Sequence, residues 1–124
     1  MIYWLTYAGM WLLALLPFKV LYILSDGLCF LMHHVVHYRR RVVRANLCNA
    51  FPEKSAAELR DIEREFYRYI CDYMLEEVKM LRMSFKELCR RMEYDNKEEY
   101  LAMIEKHGGI VLLIPHYANF EWIT

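Results

Sequence analysis

The sequence lacks an excess of either charge: sixteen Lys and Arg stand against sixteen Asp and Glu in 124 residues. That disfavours a nucleic-acid binder, which draws on a basic surplus to neutralise phosphates. It also lacks any C-x-x-C pair, since Cys29, Cys48, Cys71 and Cys89 lie 18 to 23 residues apart. Such spacing fits neither a zinc ribbon nor a disulfide-dense secreted scaffold, and it reads as reduced structural thiols in a cytosol-facing protein. The low apolar content of disordered chains is missing too, because 57% of residues are hydrophobic and 15% aromatic. There is no internal repeat or low-complexity stretch, and the length allows one domain at most.

Charge is also scarce locally, and that absence organises the chain. Residues 1–38 carry only Lys19 and Asp26 as charged side chains. Residues 39–60 then hold Arg39, Arg40, Arg41, Arg44, Lys54 and Arg60 against Glu53 and Glu58, a net of +4. Residues 61–105 hold eight cations and twelve anions, a net of −4. The expected division is therefore a membrane anchor or interfacial segment (1–38), a basic collar (39–54), a helical region (55–109) and the start of an α/β core (110–124).

A helix over residues 2–24 would be roughly 34 Å long, enough to cross a ~30 Å hydrocarbon core. Its eleven Leu, Ile, Val and Phe residues favour insertion by about 5 kcal/mol in sum, against roughly 3 for Lys19 at the bilayer centre. Pro17 would kink this helix or divide it into two shorter segments. A cleaved signal peptide is disfavoured, because no Lys or Arg precedes the apolar run and no small-residue cleavage site follows it. Arg39, Arg40, Arg41 and Arg44 just beyond the apolar block place the downstream chain in the cytoplasm by the positive-inside rule. The same residues form a membrane-surface collar for anionic head groups.

Three helices follow from start and stop signals. Ser55-Ala56-Ala57-Glu58 is a capping box opening an amphipathic helix to about residue 82, and Ser84-Phe85-Lys86-Glu87 opens a short one to about Arg91. Asp95-Asn96-Lys97-Glu98 precedes a third, ended by Gly108 and Gly109. The charged faces of these helices read as solvated surface. Ile110-Val111-Leu112-Leu113-Ile114 is then a continuous aliphatic run of the kind that forms a parallel strand covered on both faces, and so predicts an α/β domain.

His116 and Glu121 would sit at the carboxyl end of that strand, where α/β sheets collect catalytic groups. On one continuous helix the two would lie about 140° apart and could not pair. With His116 in a loop and Asn119 capping a new helix, the carboxylate can turn back to fix the imidazole tautomer, which makes His116 a general base. His33, His34 and His37 are spaced for one metal on a helix, yet the arrangement lacks the several boxes that di-iron membrane enzymes use.

Taken together, Leu15-Leu16-Pro17-Phe18, the run Tyr38 to Arg44, Asn46-Leu47, the run Ala50 to Ser55, Phe66-Tyr67-Arg68 and His116-Tyr117-x-Asn119-x-Glu121-Trp122 carry a resemblance. The chain resembles the N-terminal portion of the lipid A biosynthesis (late) acyltransferases, within the lysophospholipid-acyltransferase-like superfamily. The resemblance implies a bacterial inner-membrane enzyme, its catalytic portion a glycerolipid-acyltransferase-like α/β domain on the cytoplasmic face. It implies transfer of a fatty acyl chain from acyl carrier protein to a hydroxyl of a lipid A precursor. His116 would deprotonate that hydroxyl, Glu121 would orient His116, and the HX4E motif would need no metal or cofactor. The family pattern would put glycine at 115 and 118 and tryptophan at 120, where this sequence has Pro115, Ala118 and Phe120. The resemblance further implies a longer protein, of which these residues are a truncated and by themselves inactive part. Two alternatives use the same residues: an acyltransferase acting on another membrane lipid, and a membrane-anchored interaction protein presenting the 56–82 helix.

Overall fold

Pro17 shapes the start of the fold. The computed structural model describes residues 2–123, which divide between Arg82 and Met83 into two compact units. In the first unit the expected helix over 2–24 is two helices, α1 (Ile2–Leu15) and α2 (Phe18–Phe30). Pro17 has no N–H to continue the ladder, and its backbone is extended at φ −60°, ψ 149°. The break leaves carbonyls at the end of α1 without helical partners. Lys79 supplies them from across the unit, its Nζ donating to Ala14 O at 2.8 Å and Leu16 O at 2.7 Å. The same ammonium lies 5.7 Å from the centre of the Phe18 ring.

After α2 the helix widens into a π segment (Leu31–Val36), which ends at His37 and Arg39, both left-handed with φ 53° and 49°. These two residues redirect the chain into α3 (Arg40–Ala50), which lies within the stretch read as a basic collar. Then α4 (Ala56–Met80) begins at a capping box: the Ser55 hydroxyl accepts from Glu58 N–H, and the Glu58 carboxylate accepts from Ser55 N–H at 2.8 Å. The Ser55 hydroxyl also donates to the Glu58 carboxylate at 2.8 Å, and the two bonds the carboxylate accepts from Ser55 hold the exposed Glu58 carboxyl below its ordinary value.

The long helix α4 organises the unit, packing against α1, α2, the π segment and α3. Its Tyr67 and Cys71 join Ala14, Leu21 and Ser25 in the buried interior. Burial, with Cys29 and Asp72 beside it, pushes the Cys71 thiol up to about 11, so it stays protonated and inert. Not all of the α4 charge is solvated surface. Besides Lys79, Glu76 accepts a 2.8 Å hydrogen bond from the Tyr22 hydroxyl, and Arg82 beyond the helix stacks 5.0 Å over Trp11. The outer faces of α1 and α2 stay apolar, with Ile2, Trp4, Leu5, Leu12 and Ile23 exposed. Among the described residues Phe18–Val36 is the helix long and apolar enough to cross a membrane, with 19 residues and a mean hydropathy of 1.3; Ile2–Leu15 is shorter.

The second unit holds α5 (Phe85–Arg91) and α6 (Lys97–His107). Ser84 caps α5 by accepting from Glu87 N–H at 3.2 Å, while Arg90 and Arg91 both donate to the Glu87 carboxylate at 2.8 Å. Gly108 ends α6 in the left-handed conformation, φ 74°, which only glycine adopts without a side-chain penalty.

The expected α/β architecture is not what forms. The described residues are helical or irregular, with no strand among them. Ile110–Ile114 keeps the alternation of an extended segment: Val111 and Leu113 are each 90% exposed, and Ile110, Leu112 and Ile114 about half as much. A strand exists only through its ladder, however, and no other described segment pairs with this one. Five consecutive aliphatics establish extended backbone and a wish for burial. They do not supply the partner.

Candidate active site

The segment after Pro115 is a compact turn. Tyr117 N–H donates to Pro115 O at 2.8 Å, and Ala118 stands at φ 50°, a left-handed conformation that a β-carbon disfavours. Phe120–Trp122 then form one 3₁₀ turn, closed by Trp122 N–H to Asn119 O at 3.3 Å and Ile123 N–H to Phe120 O at 3.2 Å. Asn119 occupies the capping position of this turn without a side-chain cap bond. Trp122 is buried and lines a cavity of about 510 Å³ together with Phe85, Leu88, Cys89 and Met92, which ties the turn to α5.

His116 and Glu121 are both exposed on this turn. The His116 ring packs on Phe120, with ring centres 4.5 Å apart and planes tilted by 58°. Glu121 follows immediately, in the 3₁₀ turn itself. The structure does not bring the His116 ring and the Glu121 carboxylate into hydrogen-bond or ion-pair contact. It presents an imidazole braced by an aromatic ring, with a carboxylate one residue beyond that brace.

The arginines have divided roles. Arg40 and Arg44, one turn apart on α3, both clamp Glu63 of α4: Arg40 Nε donates to Oε1 and Arg44 Nε to Oε2, each at 2.7 Å. Glu63 is only 2% exposed. Burial by itself would favour its neutral form, but the two guanidiniums outweigh that and hold its carboxyl below the ordinary carboxylate range. His33 Nε2 approaches Glu63 Oε1 at 3.5 Å, and the His33 ring meets Tyr67 edge-on, centres 5.1 Å apart. The Tyr67 hydroxyl donates to Tyr38 O at 2.5 Å. Arg39 lines an apolar cavity of about 310 Å³ with Met32, Tyr38, Val42, Phe66 and Met74. Arg41 is exposed.

Sequence reasoning missed Glu63, treating it as one of many solvated carboxylates on α4. The available signal was the four-residue spacing of Arg40 and Arg44, which puts two cations on one helix face. Two of the three clustered histidines meet, the His33 and His34 rings standing edge to face with centres 4.5 Å apart, while His37 turns to its own backbone segment. His33 faces Glu63, the His34 ring stacks on Phe30 with centres 4.9 Å apart, and His37 Nδ1 lies 3.2 Å from Val35 O. No group of three metal-ligating side chains gathers among the described residues.

The chain thus joins an apolar helical pair, packed against a long amphipathic helix, to a later exposed turn that carries His116 and Glu121. The sequence model for the bacterial lipid A biosynthesis acyltransferases matches residues 1–123, and the chain belongs to that family. It is similar to the lipid A biosynthesis lauroyltransferase of Escherichia coli K12, with 28% identity over 122 residues. That alignment covers 96% of this chain and 40% of the relative, so the chain spans about two fifths of the length of the curated protein it matches. No solved structure matches.

Proposed function

We propose that the protein bearing this chain transfers a fatty acyl group from acyl carrier protein to a hydroxyl of a lipid A precursor. The work would be done at the cytoplasmic face of the bacterial inner membrane, with the apolar helices in the bilayer. The family match over residues 1–123 is the observation that carries the reading. The lauroyltransferase relative and the exposed His116–Glu121 turn support it.

In this reading His116 takes the proton of the acceptor hydroxyl as its oxygen attacks the thioester carbonyl. The carbon–sulfur bond then breaks, and the departing thiolate recovers the proton from the imidazolium. Glu121 orients the imidazole and stabilises its charged form, the two groups closing to hydrogen-bond distance when substrate is engaged. The nucleophile is the substrate's own hydroxyl, so the chemistry asks for no enzyme nucleophile and no metal.

The test uses the full-length protein in membranes, given acyl carrier protein loaded with a labelled acyl chain and a lipid A precursor. Label is expected in the lipid, with free acyl carrier protein appearing in equal amount. Release of free fatty acid with no labelled lipid would overturn the reading, and so would transfer to glycerolipids alone.

A further inference from the structure

The Glu63 clamp leaves donors unused. Each arginine reaches the carboxylate through Nε, so the Nη groups of Arg40 and Arg44 make no hydrogen bond among the described residues. Arg60, one turn before Glu63 on α4, is exposed and borders both hollows that flank the carboxylate. One hollow, about 250 Å³, is lined by His33, Arg40, Arg60, Glu63 and Arg64. Its neighbour, about 210 Å³, places Arg44 beside Arg60 and Glu63.

The charge there is not balanced. Arg64 pairs with Asp61, but Arg40 and Arg44 share the single Glu63 carboxylate and Arg60 borders the same hollows, leaving a local excess of two positive charges. Both carboxylate oxygens are already engaged, so Glu63 fixes two guanidinium planes without occupying their terminal donors. Pre-set guanidinium forks of this kind match the tetrahedral oxygens of a phosphate, which accept paired N–H bonds. His33, which shares the hollow, also belongs to the apolar stretch Phe18–Val36, so the seat lies where that stretch gives way to polar chain.

We propose that Arg40, Arg44 and Arg60, arranged around Glu63, form a seat for a phosphate group, that of a lipid head group whose chains lie along the apolar helices. This goes beyond the acyl-transfer reading and does not depend on it, since it invokes neither His116 nor Glu121. The test titrates the full-length protein in neutral dodecyl maltoside micelles by calorimetry, using short-chain phosphatidic acid and inorganic phosphate as separate probes. Phosphatidic acid is expected to bind at least tenfold more tightly than inorganic phosphate. Arg60→Gln, which leaves the Glu63 clamp untouched, is expected to weaken it about tenfold, the loss of one charge-assisted contact. Arg44→Lys keeps the charge but loses the fork, and a similar weakening is expected. Equal affinity for the two probes would support the phosphate seat and overturn the lipid source. No binding of either probe, or binding unchanged in Arg60→Gln, would overturn the seat itself.

Discussion

Replacing His116 with alanine in the full-length protein is expected to lower the rate of acyl transfer by roughly 10²–10⁴-fold, the usual contribution of a positioned general base. Membrane attachment should be unchanged, because His116 is exposed on a turn of the second unit and the apolar helices belong to the first. The turn should also persist, held by Trp122 in its cavity on α5 and by its own backbone bonds. Glu121→Ala is expected to give a smaller loss, since the imidazole remains but its tautomer and orientation are no longer imposed. Measuring kcat and KM for both variants checks this. A His116→Ala protein with near-normal kcat would remove the general-base assignment, and a Glu121 variant as impaired as the histidine variant would require a direct chemical role for the carboxylate.

The second large effect belongs to Glu63. Glu63→Gln keeps the shape of the side chain but removes the charge that binds Arg40 and Arg44. Two charge-assisted hydrogen bonds are lost, and because the Arg44 side chain is half exposed the cost is expected to be about 2 kcal/mol rather than the full sum. The effect carries a pH signature. The folded-state value of Glu63 lies below its ordinary value of 4.5, so the carboxylate contributes its full stability above 4.5 and loses it as pH falls through the lowered folded value. Thermal unfolding of wild type and Glu63→Gln in neutral detergent should therefore differ by several degrees near neutrality and converge in acid. His33, Tyr67, Arg40 and Arg44 face this carboxylate and are common to both proteins, so the difference isolates Glu63. A gap that persists unchanged in acid would contradict the account of the clamp.

Local rules read much of this fold, and non-local pairing limits the rest. The caps at Ser55 and Ser84 and the left-handed stop at Gly108 depend on a few neighbouring residues, so their signals lie within one turn of sequence. Pro17 acts through its own ring in the same local way. Helix α3 was hidden because Arg39, Arg40, Arg41 and Arg44 read as a membrane-surface collar, whereas Arg40 and Arg44 in fact face a carboxylate 23 and 19 residues further on. Lys79 was hidden for the same reason, its acceptors Ala14 and Leu16 lying more than sixty residues back. Ile110–Ile114 shows the converse error: an apolar run states a preference for burial, while a sheet requires hydrogen-bond partners that no reading of the run itself can provide. At the candidate site, the contact expected between His116 and Glu121 does not form, while their placement on one exposed turn was legible. The aromatic brace from Phe120 was not, because it depends on the left-handed turn at Ala118.

The central proposal is that the intact protein acylates lipid A precursors through His116. Its most direct test is the mass of lipid A from cells lacking the gene, compared after complementation with the wild-type gene or the His116→Ala gene. Lipid A lighter by one acyl chain is expected in the deletion, restored by wild type and left short by the variant at equal membrane abundance. Lipid A of full acylation in the deletion strain, or full restoration by His116→Ala, would contradict it.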